Sequence, residues 1–474
     1  MKSYSDFYAA GTFHRSTSHD RTTVHDPATG APVAEVVLCS AADLDAALES
    51  ARVGAETWAR STIEDRRRAL QRLAGEVEAR RDALVSALAD EIGCPVWLGR
   101  LMQVPMAMKD FEFTIAGLDH VQWSETIGNG LVERVPVGVV AAITPWNFPL
   151  HQIVAKVAGA LAAGCSIVLK PSELAPGAAQ NFIEAVHAAG LPPGVVNMVW
   201  GGADLGAALV ADRRVHQISF TGSTAVGRRV MSAAAERLAR VTLELGGKSA
   251  AVVLDDADLE AALPVALRIG LANSGQACVS QSRIIVPRGR QDEVCERLVA
   301  LTAAWPLGHP AEESTRLGPV ATSVQWSHVD HLIGRGLEQG AVAICGGRGR
   351  PAGFEQGCYV APTIFRDVTP DMDIAQQEVF GPVIAVMPAS DEADAVRLAN
   401  STAYGLSGAV WSADLARATR VARQMRTGQV VVNGAAQNLA TPFGGWGQSG
   451  FGRENGRFGI EECLQYRSMH GVAA

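Results

Sequence analysis

The sequence predicts an α/β fold with two doubly wound units in series. Beyond about residue 137, short apolar runs alternate with longer stretches of helical periodicity, so crossover connections must join parallel, buried strands. A second block of the same texture begins near residue 283. A chain of 474 residues has room for about three domains of ordinary size, and we place a boundary near residue 246.

The first hundred residues are predicted to be mostly helical. Capping boxes at 40–43 and 62–65 each open an apolar stripe with helical spacing, and the second helix is expected to run to Gly93. A further helix is expected over 259–272. The strands are predicted at 137–143, 166–170, 195–199, 216–221, 241–245, 250–254, 283–286, 341–345, 383–387, 408–411 and 430–433.

Composition excludes several classes of protein. The chain is 48% hydrophobic and 19% charged, which is typical of a globular protein, and its net charge of −8 with scattered basic residues argues against nucleic-acid binding. The N-terminus lacks a signal-peptide core and the most apolar stretch is broken by Lys156, so we expect a cytoplasmic protein without membrane contact. The eight cysteines lack metal-ligand spacing, so we expect reduced thiols and no metal site.

Cys278 is the candidate nucleophile. It ends the segment Gly275–Cys278, where a turn after a helix leaves the sulfur accessible and a backbone N–H free to hold an oxyanion. The alternative is a buried packing thiol.

Glu244 is the candidate general base. It ends the predicted strand 241–245, and carboxyl ends of parallel strands are where ligands bind. Apolar walls there would raise the pKa of its carboxyl. The alternative is a solvated or capping carboxylate.

Asn147 is the candidate oxyanion donor. It lies between Pro145 and Pro149, which restrict the loop after the predicted strand 137–143. Its amide is an uncharged hydrogen-bond donor, which suits a developing oxyanion. The alternative interpretation is a self-capped Asn in a rigid loop.

Three further turns suggest a dinucleotide site. The segment 170–173 ends one strand, and 220–227 ends another and opens a helix whose N-terminus suits a phosphate. In the segment 378–383, Glu378 is suited to accept from a ribose, while Phe380 offers a face for a flat ring. An ordinary turn remains the alternative for that segment.

Seven motifs together resemble the NAD(P)-dependent aldehyde dehydrogenase superfamily. They are TPWNFP, KPSE, FTGS, ELGGK, GQAC, EVFGPV and PFGG-x-x-x-SG-x-GRE, in this order over about residues 20 to 470. The resemblance implies two Rossmann-like domains, one for the cofactor and one catalytic, with a small β element that bridges subunits. By position these would be 1–117 with 137–246, then 247–454, and 118–136 with 455–474.

The resemblance also assigns roles to residues. Cys278 would be the nucleophile, Glu244 the base for a hydrolytic water and Asn147 the oxyanion donor, so that a thiohemiacetal and then a thioester carry the aldehyde to a carboxylic acid. The cofactor residues would be Thr144, Pro145, Trp146, Lys170, Ser172, Glu173, Phe220, Thr221, Gly222, Ser223, Gly227, Leu245, Gly246, Glu378 and Phe380. The substrate residues would be Phe148, Gln152, Val279, Asn438, Leu439 and Phe443.

The resemblance also leads to expectations about cofactor preference, substrate and subunit assembly. Glu173 would repel the 2′-phosphate of NADP, so we expect NAD, with the nearby Lys170 leaving room for some use of NADP. We expect an aldehyde with an apolar or aromatic body and at least one polar group. The bridging element predicts a homodimer or a homotetramer. Two alternatives stay open: coenzyme A takes the thioester, or the fold has lost its reaction.

Overall fold

Two large, mainly parallel sheets carry the fold of the computed structural model, which describes residues 1–472. The strands are β1 (Lys2–Tyr4), β2 (Asp6–Ala9), β3 (Thr12–Arg15), β4 (Arg21–His25), β5 (Pro32–Val37), β6 (Ser124–Ile127), β7 (Gly130–Pro136), β8 (Val139–Ile143), β9 (Ser166–Lys170), β10 (Val196–Met198), β11 (Gln217–Thr221), β12 (Arg240–Glu244), β13 (Ala250–Val253), β14 (Arg283–Pro287), β15 (Val342–Cys345), β16 (Thr363–Arg366), β17 (Val383–Ala389), β18 (Ser407–Trp411), β19 (Gln429–Val432), β20 (Gly450–Phe451) and β21 (Leu464–His470).

The helices pack on the faces of these sheets. They are α1 (Ala41–Trp58), α2 (Ile63–Glu78), α3 (Arg81–Ile92), α4 (Val96–Leu98), α5 (Val104–Gly117), α6 (Pro149–Ala163), α7 (Pro176–Ala188), α8 (Ala203–Ala211), α9 (Thr224–Ala235), α10 (Leu259–Leu271), α11 (Gln291–Thr302), α12 (Ser323–Glu338), α13 (Asp373–Gln376), α14 (Glu392–Ala399), α15 (Leu415–Ala422) and α16 (Gly456–Glu462). A π-helical turn (Gly99–Gln103) precedes α5.

The first sheet has the order β20-β12-β11-β8-β9-β10-β2-β3. Its strands from β12 to β10 are parallel, as the crossover lengths predict, and β8, β9 and β11 are buried along their whole length. The winding reverses between β8 and β11, and such a switch point opens a crevice at the carboxyl ends of the strands. The loops after β8, β9, β11 and β12 therefore meet at one edge.

The second sheet has the order β15-β16-β17-β14-β13-β18-β19, and only the edge strand β15 runs antiparallel. Its winding reverses between β13 and β18. The chain passes from the first sheet to the second between β12 and β13, and the short strand β20 returns to pair with β12.

Two smaller sheets complete the fold. In one of them β7 pairs with both β6 and β21, all antiparallel, and Leu464 lies opposite Pro136. The other joins β1, β5 and β4. Within residues 1–472, no helix combines the length and apolar character that a membrane span requires, and no cluster of three or more His, Cys, Asp or Glu side chains is arranged around a metal position.

The N-terminal helices confirm both predicted capping boxes, but the first hundred residues also contain the strands β1 to β5, which were not predicted, and one helix boundary was wrong. The sequence suggests one helix from residue 63 to Gly93, whereas the structure has two, because Arg80 leaves the helical conformation at φ −101° and ψ 13°. The Arg80 guanidinium donates to the carbonyl of Glu76 at 2.7 Å and thereby caps α2. The second helix does end at Gly93, in a left-handed conformation with φ 71°.

Candidate active site

A cavity of about 330 Å³ reaches Cys278. Five of the six residues predicted to surround a substrate line it, namely Phe148, Gln152, Val279, Leu439 and Phe443. Asn438 is not among the lining residues. Its side chain is exposed and accepts a hydrogen bond from the N–H of Ala440 at 3.0 Å, which is the local turn that short amide side chains favour. Asn438 therefore does not line the cavity in this structure, and its role as a substrate residue stays a prediction.

The loop that carries Cys278 is conformationally strained. Asn273, Ser274 and Gly275 are consecutive left-handed residues with φ of 51°, 56° and 74°, and each non-glycine residue in that region costs on the order of 1 kcal/mol. A Cβ on Gly275 would lie 2.0 Å from the carbonyl oxygen of Gly381, so only glycine fits. Tertiary contacts hold the turn, among them the hydrogen bond from Ser274 Oγ to the carbonyl of Gly318 at 2.7 Å.

Cys278 itself is partly accessible at the cavity wall. Burial, followed by the neighbouring carboxylates of Glu378 and Glu244, raises the pKa of its thiol to about 12. The resting thiol is therefore protonated. Attack on a carbonyl requires removal of that proton.

Asn147 lies in the loop between β8 and α6 and is buried. Its Nδ2 donates to the carbonyl of Gln276 at 3.1 Å, and its own backbone carbonyl accepts from Asn273 Nδ2 at 2.9 Å. The Asn147 amide has two N–H groups, and one of them satisfies Gln276. The other N–H remains available for an oxyanion.

Glu244 ends β12 and is 2% exposed. Neither of its carboxylate oxygens has a hydrogen-bond partner among residues 1–472. Burial, followed by the carboxylate of Glu454, raises the pKa of Glu244 well above its ordinary value, while Lys156 and Arg453 act in the opposite direction. A buried carboxyl in such surroundings is a strong base once it has lost its proton.

Sequence reasoning missed an ion pair beside Glu244. Glu454 Oε1 accepts from Lys156 Nζ and from Ser219 Oγ, the latter at 3.3 Å, and both charged side chains are buried. The signal was a lysine inside the apolar helix α6, in a chain with only five lysines. Its acidic partner in the GRE motif lies 298 residues away, too far for any local pattern.

The predicted cofactor residues lie at the carboxyl edge of the first sheet and on the facing segment around Glu378. The loop after β8 holds Thr144, Pro145 and Trp146; the loop after β9 holds Ser172 and Glu173, with Lys170 at the strand end; β11 and α9 hold Phe220, Thr221, Gly222, Ser223 and Gly227; and Leu245 and Gly246 follow β12. Glu378 and Phe380 precede β17. All of these segments therefore border the crevice at the switch point.

The chemistry of this edge fits a dinucleotide. Ser223 is exposed at the N-terminus of α9, where it accepts from the N–H of Val226 and the helix dipole favours a phosphate. Lys170 Nζ lies 3.6 Å from the carboxylate of Glu173, and both groups suit ribose hydroxyls. The buried hydroxyl of Thr221 has no hydrogen-bond partner among residues 1–472.

The opposite side of the crevice is built around Glu378. Its carboxylate accepts from the N–H of Gly247 at 2.9 Å, and burial, opposed by that bond and by Lys248, raises its pKa to about 7. The rings of Trp146 and Phe380 meet nearly at right angles with centroids 5.6 Å apart. A carboxylate and two aromatic rings therefore lie beside the nucleophile loop, a set suited to a ribose and a flat ring.

The chain is similar to known proteins over almost its whole length. The model of the aldehyde dehydrogenase family matches residues 13–469. A 3-succinoylsemialdehyde-pyridine dehydrogenase from a Pseudomonas species is 42% identical over 473 residues, covering 99% of both chains.

Two solved structures are also similar. A mutant aldehyde dehydrogenase C from Pseudomonas syringae, in complex with NAD+ and octanal, superposes with a TM-score of 0.97 at 41% identity, covering 99% of this chain and 97% of the other. An aldehyde dehydrogenase from Mycobacterium tuberculosis, in complex with NAD+, gives a TM-score of 0.97 at 39% identity and covers 100% of both chains.

Proposed function

The chain belongs to the aldehyde dehydrogenase family, and on this basis we propose that Cys278, Glu244 and Asn147 divide its reaction among them. The protein is an NAD-dependent oxidoreductase that converts an aldehyde to a carboxylic acid. The residue assignment rests on the buried carboxylate of Glu244, which has no hydrogen-bond partner among residues 1–472. After burial and the charge of Glu378, its charge also raises the pKa of the partly accessible thiol of Cys278.

In the first half-reaction the Cys278 thiol gives up its proton to water in the open cavity, and the resulting thiolate forms a bond to the aldehyde carbon. The carbonyl oxygen becomes an oxyanion, which the free N–H of the Asn147 amide and the backbone N–H of Cys278 stabilise. A hydride then leaves the same carbon, and NAD supplies the acceptor for it. The product of these steps is a thioester on Cys278.

In the second half-reaction water releases the acid. Glu244 removes a proton from a water molecule while the oxygen of that water attacks the thioester carbon. The carbon–sulfur bond then breaks, and Cys278 leaves as a thiolate. The raised pKa of Glu244 suits this task, because a base with a pKa near the working pH transfers protons most effectively. The ion pair of Lys156 and Glu454 helps to set that pKa.

The cavity favours a functionalised aldehyde. Its wall is largely apolar, with Met102, Met106 and Ile269, but the amides of Gln152 and Gln281 also line it and both have a buried carbonyl oxygen without a partner. We propose a substrate with an apolar or aromatic body and a polar group. The name of the 3-succinoylsemialdehyde-pyridine dehydrogenase fits such a substrate. The octanal in the complex of the Pseudomonas syringae enzyme is a plain aldehyde.

The remaining assignments concern cofactor preference, domains and assembly. We propose that Glu173 favours NAD over NADP, and that residues 1–117 with 137–246 bind the cofactor while 247–454 carry the thiol.

The segments 118–136 and 455–474 would bridge a homodimer or homotetramer, because Tyr466 and Ile127 leave apolar surface 70% and 63% exposed on the β6–β7–β21 sheet. All eight cysteines are free thiols, which suits a cytoplasmic location.

Replacement of Cys278 tests the nucleophile. We expect C278A to form no NADH from an aldehyde in either a burst or the steady state, as followed by nicotinamide absorbance. Cys345 is the other partly accessible cysteine and lies in β15, so C345A is the matched control and should retain wild-type turnover. Aldehyde oxidation by C278A at the wild-type rate would refute the proposal.

A further inference from the structure

A histidine of the cavity wall is paired with a buried aspartate and has no role in the reaction described above. His151, in the first turn of α6, lines the cavity together with Cys278. Its Nδ1 lies 2.5 Å from Oδ2 of Asp110, a residue of α5 that is 2% exposed. The other carboxylate oxygen of Asp110 is buried and has no hydrogen-bond partner among residues 1–472. The buried negative charge of the Asp110 carboxylate is therefore compensated through its contact with His151.

This contact influences the charge of the ring. Burial is the largest single influence on the pKa of His151 and lowers it, but the charge and the hydrogen bond of Asp110 together with Glu454 outweigh it, so that the net shift is upward. Glu454 acts in the same direction as Asp110, and Lys156 opposes both. Burial raises the pKa of Asp110 as well, and His151 opposes that rise. An ionised Asp110 beside a neutral ring would be an uncompensated buried charge, so an ionised Asp110 is paired with an imidazolium. In the neutral pair the acid O–H donates to Nδ1, so Nε2 carries an N–H in either state.

An imidazolium in this position is a directed donor. Both ring nitrogens carry a hydrogen, and because Nδ1 is bound to Asp110, any hydrogen bond from the ring to a molecule in the cavity must come from Nε2. Asn147, the proposed donor to the reacting carbonyl, lies in the loop before α6, and His151 follows it in the first turn of that helix. A group that meets Nε2 therefore belongs to the body of the substrate, away from the aldehyde.

A neutral oxygen acceptor is the best partner for this donor. Asp110 already balances the charge of the imidazolium, and a substrate carboxylate has a counter-charge at the guanidinium of Arg268, which also lines the cavity, so an uncharged acceptor is left for Nε2. A ketone oxygen accepts a hydrogen bond without bringing a second negative charge to the pair. A site built to donate to such an oxygen also discriminates against an aldehyde that lacks it, because the donor is then left unpaired.

We propose that His151, positioned by Asp110, is a specificity-determining residue that donates from Nε2 to a ketone oxygen of a keto-aldehyde substrate. This inference rests on the proposed function, since it assumes that the aldehyde occupies the Cys278 cavity. His151 selects the substrate, and Asp110 acts through it as a positioning residue.

The test compares octanal with 4-oxooctanal and 5-oxooctanal, which share its length and add a ketone. We expect the wild-type enzyme to oxidise at least one keto-aldehyde with a kcat/KM about 10 to 100 times that for octanal, mainly through a lower KM. In H151L this ratio should fall to near one. H151Q retains an N–H near the position of Nε2 and should keep part of the preference. The exposed His120, just beyond α5, provides the control H120L, which should leave the ratio unchanged.

Two further variants separate the role in specificity from a role in folding. H151L strands the Asp110 carboxylate, so the double variant D110N/H151L, which removes that charge, should fold and also lack the preference. In D110N alone the pKa of His151 falls, so the preference should disappear at a lower pH than in the wild type. A purely structural role for Asp110 would leave that pH unchanged.

The outcomes distinguish the two proposals. If the wild-type protein oxidises none of the three aldehydes, the proposed function fails. If it oxidises all three with equal kcat/KM, the role of His151 is refuted. Equal losses for octanal and the keto-aldehydes in the folded double variant would refute it as well.

Discussion

The side-chain amide of Asn147 donates to the backbone carbonyl of Gln276 at 3.1 Å, two residues before Cys278. This bond joins the loop after β8 in the first sheet to the nucleophile loop of the second. One N–H of the amide joins the two loops, and the other is the one that we propose as the donor to the oxyanion. The position of the oxyanion donor is therefore tied to the position of the sulfur.

Replacement of Asn147 by alanine should reduce kcat by about 10²- to 10³-fold, because an oxyanion donor is lost and the Cys278 loop is released as well. Initial rates of NADH formation with saturating NAD would measure this loss. The control is N129A, since Asn129 is exposed in the turn between β6 and β7 and does not line the cavity, and we expect its rate within about twofold of wild type. A comparable loss in both variants would contradict the site geometry.

Replacement of Glu244 by glutamine should separate the two half-reactions. Thioester formation does not require Glu244 as the base for water, so E244Q should release about one NADH per active site in a burst and then turn over about 10²- to 10⁴-fold more slowly. Stopped-flow absorbance at the nicotinamide band resolves the two phases. E260Q alters a glutamate whose side chain is 82% exposed, and it should behave as wild type.

Steady-state rates measured with and without coenzyme A identify the molecule that accepts the acyl group of the thioester. If water is the acceptor, adding coenzyme A to the wild-type enzyme should not change the steady-state rate, and the product should be the free acid. A rate that depends on coenzyme A would show that this chain follows the acylating branch, in which the base at Glu244 has no function.

Much of the fold follows from local patterns. The strands β8, β9 and β11 are buried on both faces, and such strands appear in a sequence as short apolar runs. Both capping boxes are equally local. The break between α2 and α3 is not, because Ala79 and Arg80 are good helix formers and no Gly or Pro marks the turn.

The motifs also located most of the candidate site, since each one lies at a strand end or in a tight turn. The two buried ion pairs were not predictable in the same way. Asp110 and His151 are separated by 41 residues and Lys156 and Glu454 by 298, and neither spacing has a local signature. Only packing of α5 and α6 and return of the C-terminal segment bring these charges together. The left-handed Asn273 and Ser274 are equally hidden, because both residue types occur in ordinary turns.

Cofactor preference should change on replacement of Glu173 by glutamine. The carboxylate is 31% exposed and lies 3.6 Å from Lys170 Nζ, so its removal eliminates a repulsion toward a 2′-phosphate and leaves the lysine free to attract it. We expect kcat/KM with NADP to rise about tenfold, equivalent to ~1.4 kcal/mol, and the value with NAD to fall. E184Q, on the exposed face of α7, should change neither. Unchanged preference in E173Q would place the ribose elsewhere.

The burial of Glu244 also has a consequence for stability, with a definite sign. Its pKa is raised in the folded protein, so the folded state binds the proton more tightly than the unfolded state does. The resulting stabilisation is fully present below the ordinary glutamate pKa and is lost as the pH rises through the raised folded value. Glutamine cannot ionise, and the melting temperature of E244Q should therefore exceed that of the wild type at pH 9 by more than at pH 5. Thermal unfolding at the two pH values measures the difference, with E260Q as the exposed control that should track the wild type at both. A wild-type melting temperature that rises relative to E244Q on going from pH 5 to pH 9 would mean that Glu244 is stabilised as a carboxylate, and its assignment as a base with a raised pKa would then be wrong.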